Sequence, residues 1–227
     1  MAIPWWVPEG RLMRFPWLDA SGGAVPVFTV GWRIMDSPDE WSNRFMGFKV
    51  GRKGYFQAGT VLLKAAVQEL VERKGWGGQQ IGLATALSSG ATAANPHSPL
   101  FIAGNWIARQ LGLAWVAGAF TKQAHRPLKS LGAGADRDAE VHGKYHCAAV
   151  EGIDQLLVLD DFVTRGATLG EMKRALDAQE CGLELTGLAL AKNERASWAE
   201  SNCRVLDNTH IPAEWNVLWT EALARNS

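Results

Sequence analysis

An α/β fold with a mostly parallel central sheet flanked by helices is predicted by two features of this 227-residue chain. Apolar runs of strand length alternate with segments of helical period, and the run Leu156–Leu159 stays apolar at four successive positions before ending at Asp160 and Asp161. A continuous apolar run suits a strand covered on both faces. Strand–helix alternation calls for right-handed crossovers, which place ligand-binding loops at the carboxyl ends of the strands.

The elements follow in order. Eleven tryptophans stand against two tyrosines, and Trp5, Trp6, Trp17, Trp32 and Trp41 all precede the first clear helix. Large aromatic side chains bury much area per contact, so this start is expected to be an irregular segment pinned onto the domain, a second copy or a partner protein; stacking on a base is the other use of such rings. A helix from about Thr60 to Lys74 carries Val61, Leu62, Ala65, Leu70 and Val71, and Gly75 ends it. Ile81–Ala86 reads as a strand that stops at Leu87, Ser88, Ser89 and Gly90. Ser98 and Pro99 are an N-cap and first helical residue; Leu100, Phe101, Ala103, Trp106, Ile107 and Leu111 mark one apolar face, and Gly112 closes the helix. Leu113–Phe120 reads as a strand, Leu169–Glu180 as a helix, Leu183–Ala191 as a strand and Pro212–Ala224 as a last helix with Trp215, Leu218 and Trp219.

Lys+Arg and Asp+Glu both number 23, so no global field favours nucleic acid or a membrane surface. Cys147, Cys181 and Cys203 are widely spaced, which suggests neither a disulfide framework nor a zinc site. With no long apolar run and no signal-like start, a cytoplasmic protein is expected. His142 and His146 have no carboxylate at a recognised metal-ligand spacing. Neither an Asp-x-Asp phosphatase motif around Asp160 nor a P-loop is found.

Thr121–His146 is a long polar stretch with no period; loops of this length usually carry function, and a mobile lid is one such role. It contains Lys122, Arg126, Lys129, Arg137 and Lys144, cations suited to a pyrophosphate. A solvated surface loop is the alternative. After Asp160 and Asp161 come Thr164, Arg165, Gly166, Ala167 and Thr168, where Gly166 permits a tight turn and the following helix start offers amides to a phosphate. Thr168 and Glu171 also have capping-box spacing, so a plain helix cap is the competing role for that hydroxyl.

The strand, the acidic pair and Thr164-Arg165-Gly166-Ala167-Thr168 closely resemble the 5-phosphoribosyl-1-pyrophosphate (PRPP) motif of type I phosphoribosyltransferases. Arg137, Val141, Gly143 and Tyr145 are further similar to a segment of the competence-associated ComF-like members. Glu140 and Lys144 depart from that segment, and the members' Arg-Gly-Phe-Asn-Gln run and N-terminal cysteine knuckle are not found here. The resemblance covers about residues 79–191 and implies a transferase of nucleotide metabolism that moves 5-phosphoribosyl from PRPP to a nitrogenous base. It implies that Asp160 and Asp161 hold the ribose hydroxyls and that residues 164–168 wrap the 5′-phosphate. Ser88, Ser89 and Gly90 would form the pyrophosphate loop, and Arg137, then Lys129, would meet the leaving pyrophosphate. Mg2+ is expected mainly on PRPP, with water-mediated contact to Asp160 and Asp161. Residues 1–78 are then an extension with a helix, packed on the core or joining a variable hood, and residues 79–227 the core with C-terminal hood elements. A non-catalytic PRPP or nucleotide sensor on the same fold is the alternative.

Overall fold

In a computed structural model, which describes residues 5–16, 18, 25–88, 90–123 and 142–225, a seven-stranded sheet organises the chain. It contains β1 (Val7–Glu9), β2 (Leu12–Arg14), β3 (Val27–Ile34), β4 (Ile81–Thr85), β5 (Ala114–Trp115), β8 (Gln155–Val163) and β9 (Glu184–Glu194). A separate antiparallel pair, β6 (Phe120–Lys122) and β7 (Tyr145–Cys147), stands apart from it. The large sheet has the order β1-β2-β3-β9-β8-β4-β5. Its first two pairings are antiparallel, and every pairing from β3 to β5 is parallel. The segment expected to be irregular therefore supplies a strand of the parallel sheet, because Val27-Phe28-Thr29-Val30 is β-branched and aromatic enough to be buried on both faces.

Helices cover both faces. α1 (Glu40–Lys49), α2 (Tyr55–Arg73), α3 (Pro99–Leu111) and α6 (Ala213–Ala224) share one core with Phe28, Leu157, Leu159 and Leu188. α4 (Ala167–Asp177) packs on the opposite face with Val158, Ala189 and the β6-β7 pair. A short helix, α5 (Ala196–Ser201), follows β9. The chain leaves β4 through α3 toward β5 on one side, and leaves β8 through α4 toward β9 on the other. The strand order thus reverses between adjacent β4 and β8, and the crevice at their carboxyl ends is where open α/β sheets bind ligands.

Several elements differ from expectation for identifiable reasons. α2 starts at Tyr55 rather than Thr60, since Tyr55 and Phe56 pack into the core and Phe56 stacks on Phe48 at 5.8 Å. Leu113–Phe120 is not one strand: the Val116 amide bonds to Leu83 O at 3.0 Å, a 3₁₀ turn follows at Ala117–Ala119, and β6 begins a new ladder. On α3, Ser98 caps Phe101 N as expected, but Trp106 is 39% exposed. Ala103 and Ile107 of the expected face are buried, joined by Gly104 and Ala108, and a Cβ on Gly104 would lie 2.7 Å from Trp115. Close approach to the sheet through Gly104 leaves Trp106 facing out, while Ile107 is buried and Leu100 and Leu111 pack against the same core.

Three neighbouring strands change faces at one level. Leu157 and Leu159 belong to the α2-side core and Leu156 and Val158 to the α4-side core, yet beyond the aspartates Phe162 is on the α2 side and Val163 on the α4 side. Strict alternation would give the reverse. In β3, Val30 and Trp32 fall on opposite sides, and in β9 consecutive Leu190 and Ala191 share the α2 side. Both ladders skip this row: Thr29 and Asp160 pair with Ala189, and Gly31 and Phe162 with Ala191, leaving Val30, Leu190 and Asp161 unmatched. No residue is inserted, so the register is the same above and below the break.

Candidate functional site

Two loops meet at the crevice. After β4, the Ala86 amide still bonds to Leu159 O of β8 at 2.8 Å, and the chain then turns through Leu87, Ser88 and Gly90, with Ala91 N on Ser88 O at 3.0 Å. The same loop is held from above by Lys122 N on Thr92 O at 2.8 Å and by an isolated bridge between Ala93 and Thr121. After β8, residues Thr164 and Arg165 lead into Gly166, whose φ of 76° places it in the left-handed region that suits glycine. Gly166 is the N-cap of α4, and no side chain caps that helix. Its first-turn amides are thus offered to an anion with the helix dipole behind them.

Thr168 does not form the capping box its spacing suggested. It lies inside α4, and its hydroxyl hydrogen-bonds the buried Tyr145 phenol. Glu171 is turned the other way: its carboxylate accepts from Gly143 N at 2.7 Å and Arg174 Nε at 3.0 Å, and faces His142 Nδ1 at 3.3 Å.

The acidic pair lies where the strand faces change. Asp160 Oδ1 accepts the Asp161 amide at 2.8 Å, and Asp161 Oδ1 accepts the Phe162 amide at 2.7 Å. Asp161 Oδ2 is 2.7 Å from Lys49 Nζ, which comes from the end of α1. Burial holds the Asp160 carboxyl well above the usual carboxylate range, and the charge and hydrogen bond of Asp161 add to this, while Lys49 opposes it. Lys49 Nζ and the Arg33 guanidinium lie 4.8 and 5.0 Å from the Phe162 ring. Burial lowers the Arg33 pKa and Asp161 counteracts that effect. Arg33 Nη1 donates to Asn193 Oδ1 at 3.1 Å, and Asn193 Nδ2 donates to Thr164 Oγ1 at 3.3 Å, so a polar chain runs from β3 through β9 to the loop after β8.

A second group of buried polar side chains lies on the α4 side. Lys122 Nζ and Tyr145 Oη both donate to Leu87 O at 3.4 Å. Tyr145 therefore ties the β4 loop to the start of α4. Burial, with Lys144 adding to it, pushes the Lys122 ammonium down to about 8. Burial, then Asp160, raises the Tyr145 phenol above its ordinary value. Lys192, 1% exposed on β9, donates to Asn193 O at 2.8 Å and meets Glu194 Oε2 at 3.4 Å; burial brings it down to about 8 against the pull of Glu194, and Arg165 lowers it further.

The structure brings together Asp160, Asp161, Thr164, Arg165, Gly166, Ala167 and Thr168 after β8, beside Ser88 and Gly90 after β4. Ser89, Lys129 and Arg137 lie outside the described residues. Lys49, Arg33 and Asn193 were missed as members of the site, because they reach it from elements distant in sequence. The signals for their elements were present: Val27–Val30 has strand character, and Asp39 accepting Ser42 N at 2.7 Å is an ordinary helix cap. Among the described residues no helix is long and apolar enough to cross a membrane, and no group of three or more His, Cys, Asp or Glu side chains is placed to hold a metal ion. No protein-family model matches the chain, and no curated protein matches it.

Proposed function

We propose that this protein is a phosphoribosyltransferase of the type I fold, with a tryptophan-rich N-terminal addition, that binds PRPP and passes its 5-phosphoribosyl group to a nitrogenous base. One observation carries the reading: the adjacent carboxyls Asp160 and Asp161 lie near the carboxyl end of a central strand, which runs on to Val163 rather than stopping at the pair, beside the point where strand order reverses, and an uncapped helix N-terminus at Gly166 follows it. Carboxyls accept hydrogen bonds from the ribose hydroxyls, and the helix start takes the 5′-phosphate. The base nitrogen forms a bond to ribose C1 as the bond from C1 to the pyrophosphate oxygen breaks.

Asp161 is already paired with Lys49, and no further acidic or imidazole side chain among the described residues completes a metal cage. The acidic pair therefore does not fit direct magnesium coordination, and magnesium belongs to this reading as part of the Mg–PRPP substrate. Arg165 is exposed beside the phosphate loop and suits an anion.

Calorimetric titration with PRPP and magnesium tests the reading, using an Asp160→Ala, Asp161→Ala variant and its Asn/Asn counterpart as controls. Saturable binding that both variants lose, with pyrophosphate released when one base of a panel is added, is the expected result. Binding without release for any base supports the sensor alternative, and no binding by the folded wild type refutes both.

A further inference from the structure

We infer that Lys49 is a specificity-determining residue of the carboxyl site: its ammonium sets the Asp160–Asp161 pair to take neutral hydroxyls and to refuse a bare divalent cation. A direct site for a hard divalent ion needs several oxygen ligands with uncompensated negative charge. Here Lys49 Nζ is 2.7 Å from Asp161 Oδ2, while Asp161 Oδ1 is engaged by the Phe162 amide and Asp160 Oδ1 by the Asp161 amide. A second cation, Arg33, lies 5.0 Å from the Phe162 ring. A divalent ion arriving at Asp161 would have to displace or sit against an ammonium in a partly desolvated site, where like-charge repulsion is poorly screened. A hydroxyl meets no such repulsion, since it can donate to a carboxylate oxygen and accept from the ammonium.

The placement of Lys49 is built rather than incidental. Asp39 caps the start of α1 and also accepts from the buried Asn208, which bonds to the Trp32 backbone on both sides. At the other end Gly47 leaves room for the Tyr55 ring, and Phe48 stacks on Phe56 at 5.8 Å. The backbone that carries Lys49 is thus fixed on either side of the last turn, and its ammonium lies 4.8 Å from the Phe162 ring. The hydroxyls that Lys49 admits are those of the ribose reading above, whereas refusal of the cation follows from the ion pair alone.

The probe is Mn2+ without any sugar phosphate, followed by electron paramagnetic resonance on the full chain. The wild type should show no specific Mn2+ site. Lys49→Met should gain one, at least about tenfold tighter, Lys49→Arg should keep the refusal, and Lys49→Met with Asp161→Asn should lose the gained site. Lys49 is 44% exposed, and methionine is unbranched and of similar length, so the fold should survive; far-UV circular dichroism checks this. A wild-type Mn2+ site abolished by Asp161→Asn overturns the inference, as does a folded Lys49→Met protein that gains nothing. Ribose 5-phosphate is titrated in parallel: its failure to bind the wild type counts against the ribose reading, while the Mn2+ result still decides the role of Lys49.

Discussion

Replacing Lys192 with methionine should stabilise the protein at neutral pH and give a stability difference that shrinks and reverses in alkali. Lys192 is 1% exposed, and burial, its largest influence, brings its ammonium from 10.5 to about 8. Below about 8, the folded and unfolded states both hold the proton, and the folded state bears the whole cost of burying the charge. At about 1.4 kcal/mol per pKa unit, that cost is about 3 kcal/mol. Between the two pKa values the unfolded chain binds the extra proton, so wild-type stability rises with pH, and above 10.5 this penalty has vanished. Methionine is unbranched and of similar length, but it forfeits the bonds to Asn193 O and Glu194 Oε2, a loss of about 1 kcal/mol or somewhat more. The net expectation is a gain of about 1–2 kcal/mol at neutral pH and a small loss above 10.5. Urea unfolding of both proteins across that range reads the difference directly. Taking the difference also cancels Tyr145 and Cys147, whose pKa values burial raises, so that the unfolded state loses those protons first and both proteins lose stability as pH climbs. A Lys192→Met protein that is less stable at neutral pH by a margin independent of pH would refute the reasoning, since the ammonium would then not be desolvated as described.

Three further outcomes are expected. Gly166→Ala should cost about 1–2 kcal/mol from its left-handed backbone, because Leu18 at 3.9 Å leaves room for the Cβ. Gly75→Ala, at φ 66° with nothing within 4 Å, should cost about as much in chemical unfolding, yet only the Gly166 change should abolish phosphate-ligand binding. Tyr145→Phe removes the phenol from Leu87 O and Thr168 and should cost about 1 kcal/mol, with faster amide exchange at the Leu87 turn and around Tyr145; unchanged exchange there would remove Tyr145 as a tie between the two loops. Glu69 is buried, which pushes its pKa up, but hydrogen bonds from Arg73 and Arg11 together outweigh this and the net shift is downward. Its folded pKa is depressed, so its contribution is complete above the unfolded value of 4.5 and is lost as pH falls through the folded value; Glu69→Gln should flatten the acid limb of the stability profile.

The strand and the glycine turn into α4 were readable in the sequence because they are contiguous, although the strand runs past the aspartates to Val163, where pairing with β9 continues. Strand β4 and the start and stop of α3 were readable for the same reason, through Ser98, Pro99 and Gly112. What lay out of reach was pairing at a distance. Nothing local to Lys49 indicates that it will meet Asp161, since that contact depends on α1 being anchored through Asn208 and Phe56. Side-chain size also misled on α3, where contact with the sheet is made by Ala103 and Gly104 while Trp106 faces out. Glu171 shows the same limit: its spacing from Thr168 matched a cap, but Gly143 and Arg174 compete for the carboxylate and win.

The row Val30, Leu190 and Asp161, left unmatched in both ladders, bears on how this region can be changed. A deletion of one residue in β8 alone would carry Phe162 and Val163 to the wrong cores, while Ala191 and Gly31 kept their places. The same deletion made in all three strands would restore a regular sheet, with Phe162, Trp32 and Ala191 on the sides they now occupy. The transplantable unit is therefore not the loop after β8. It is a three-strand block, and the acidic pair can be moved into another sheet only with its two neighbours.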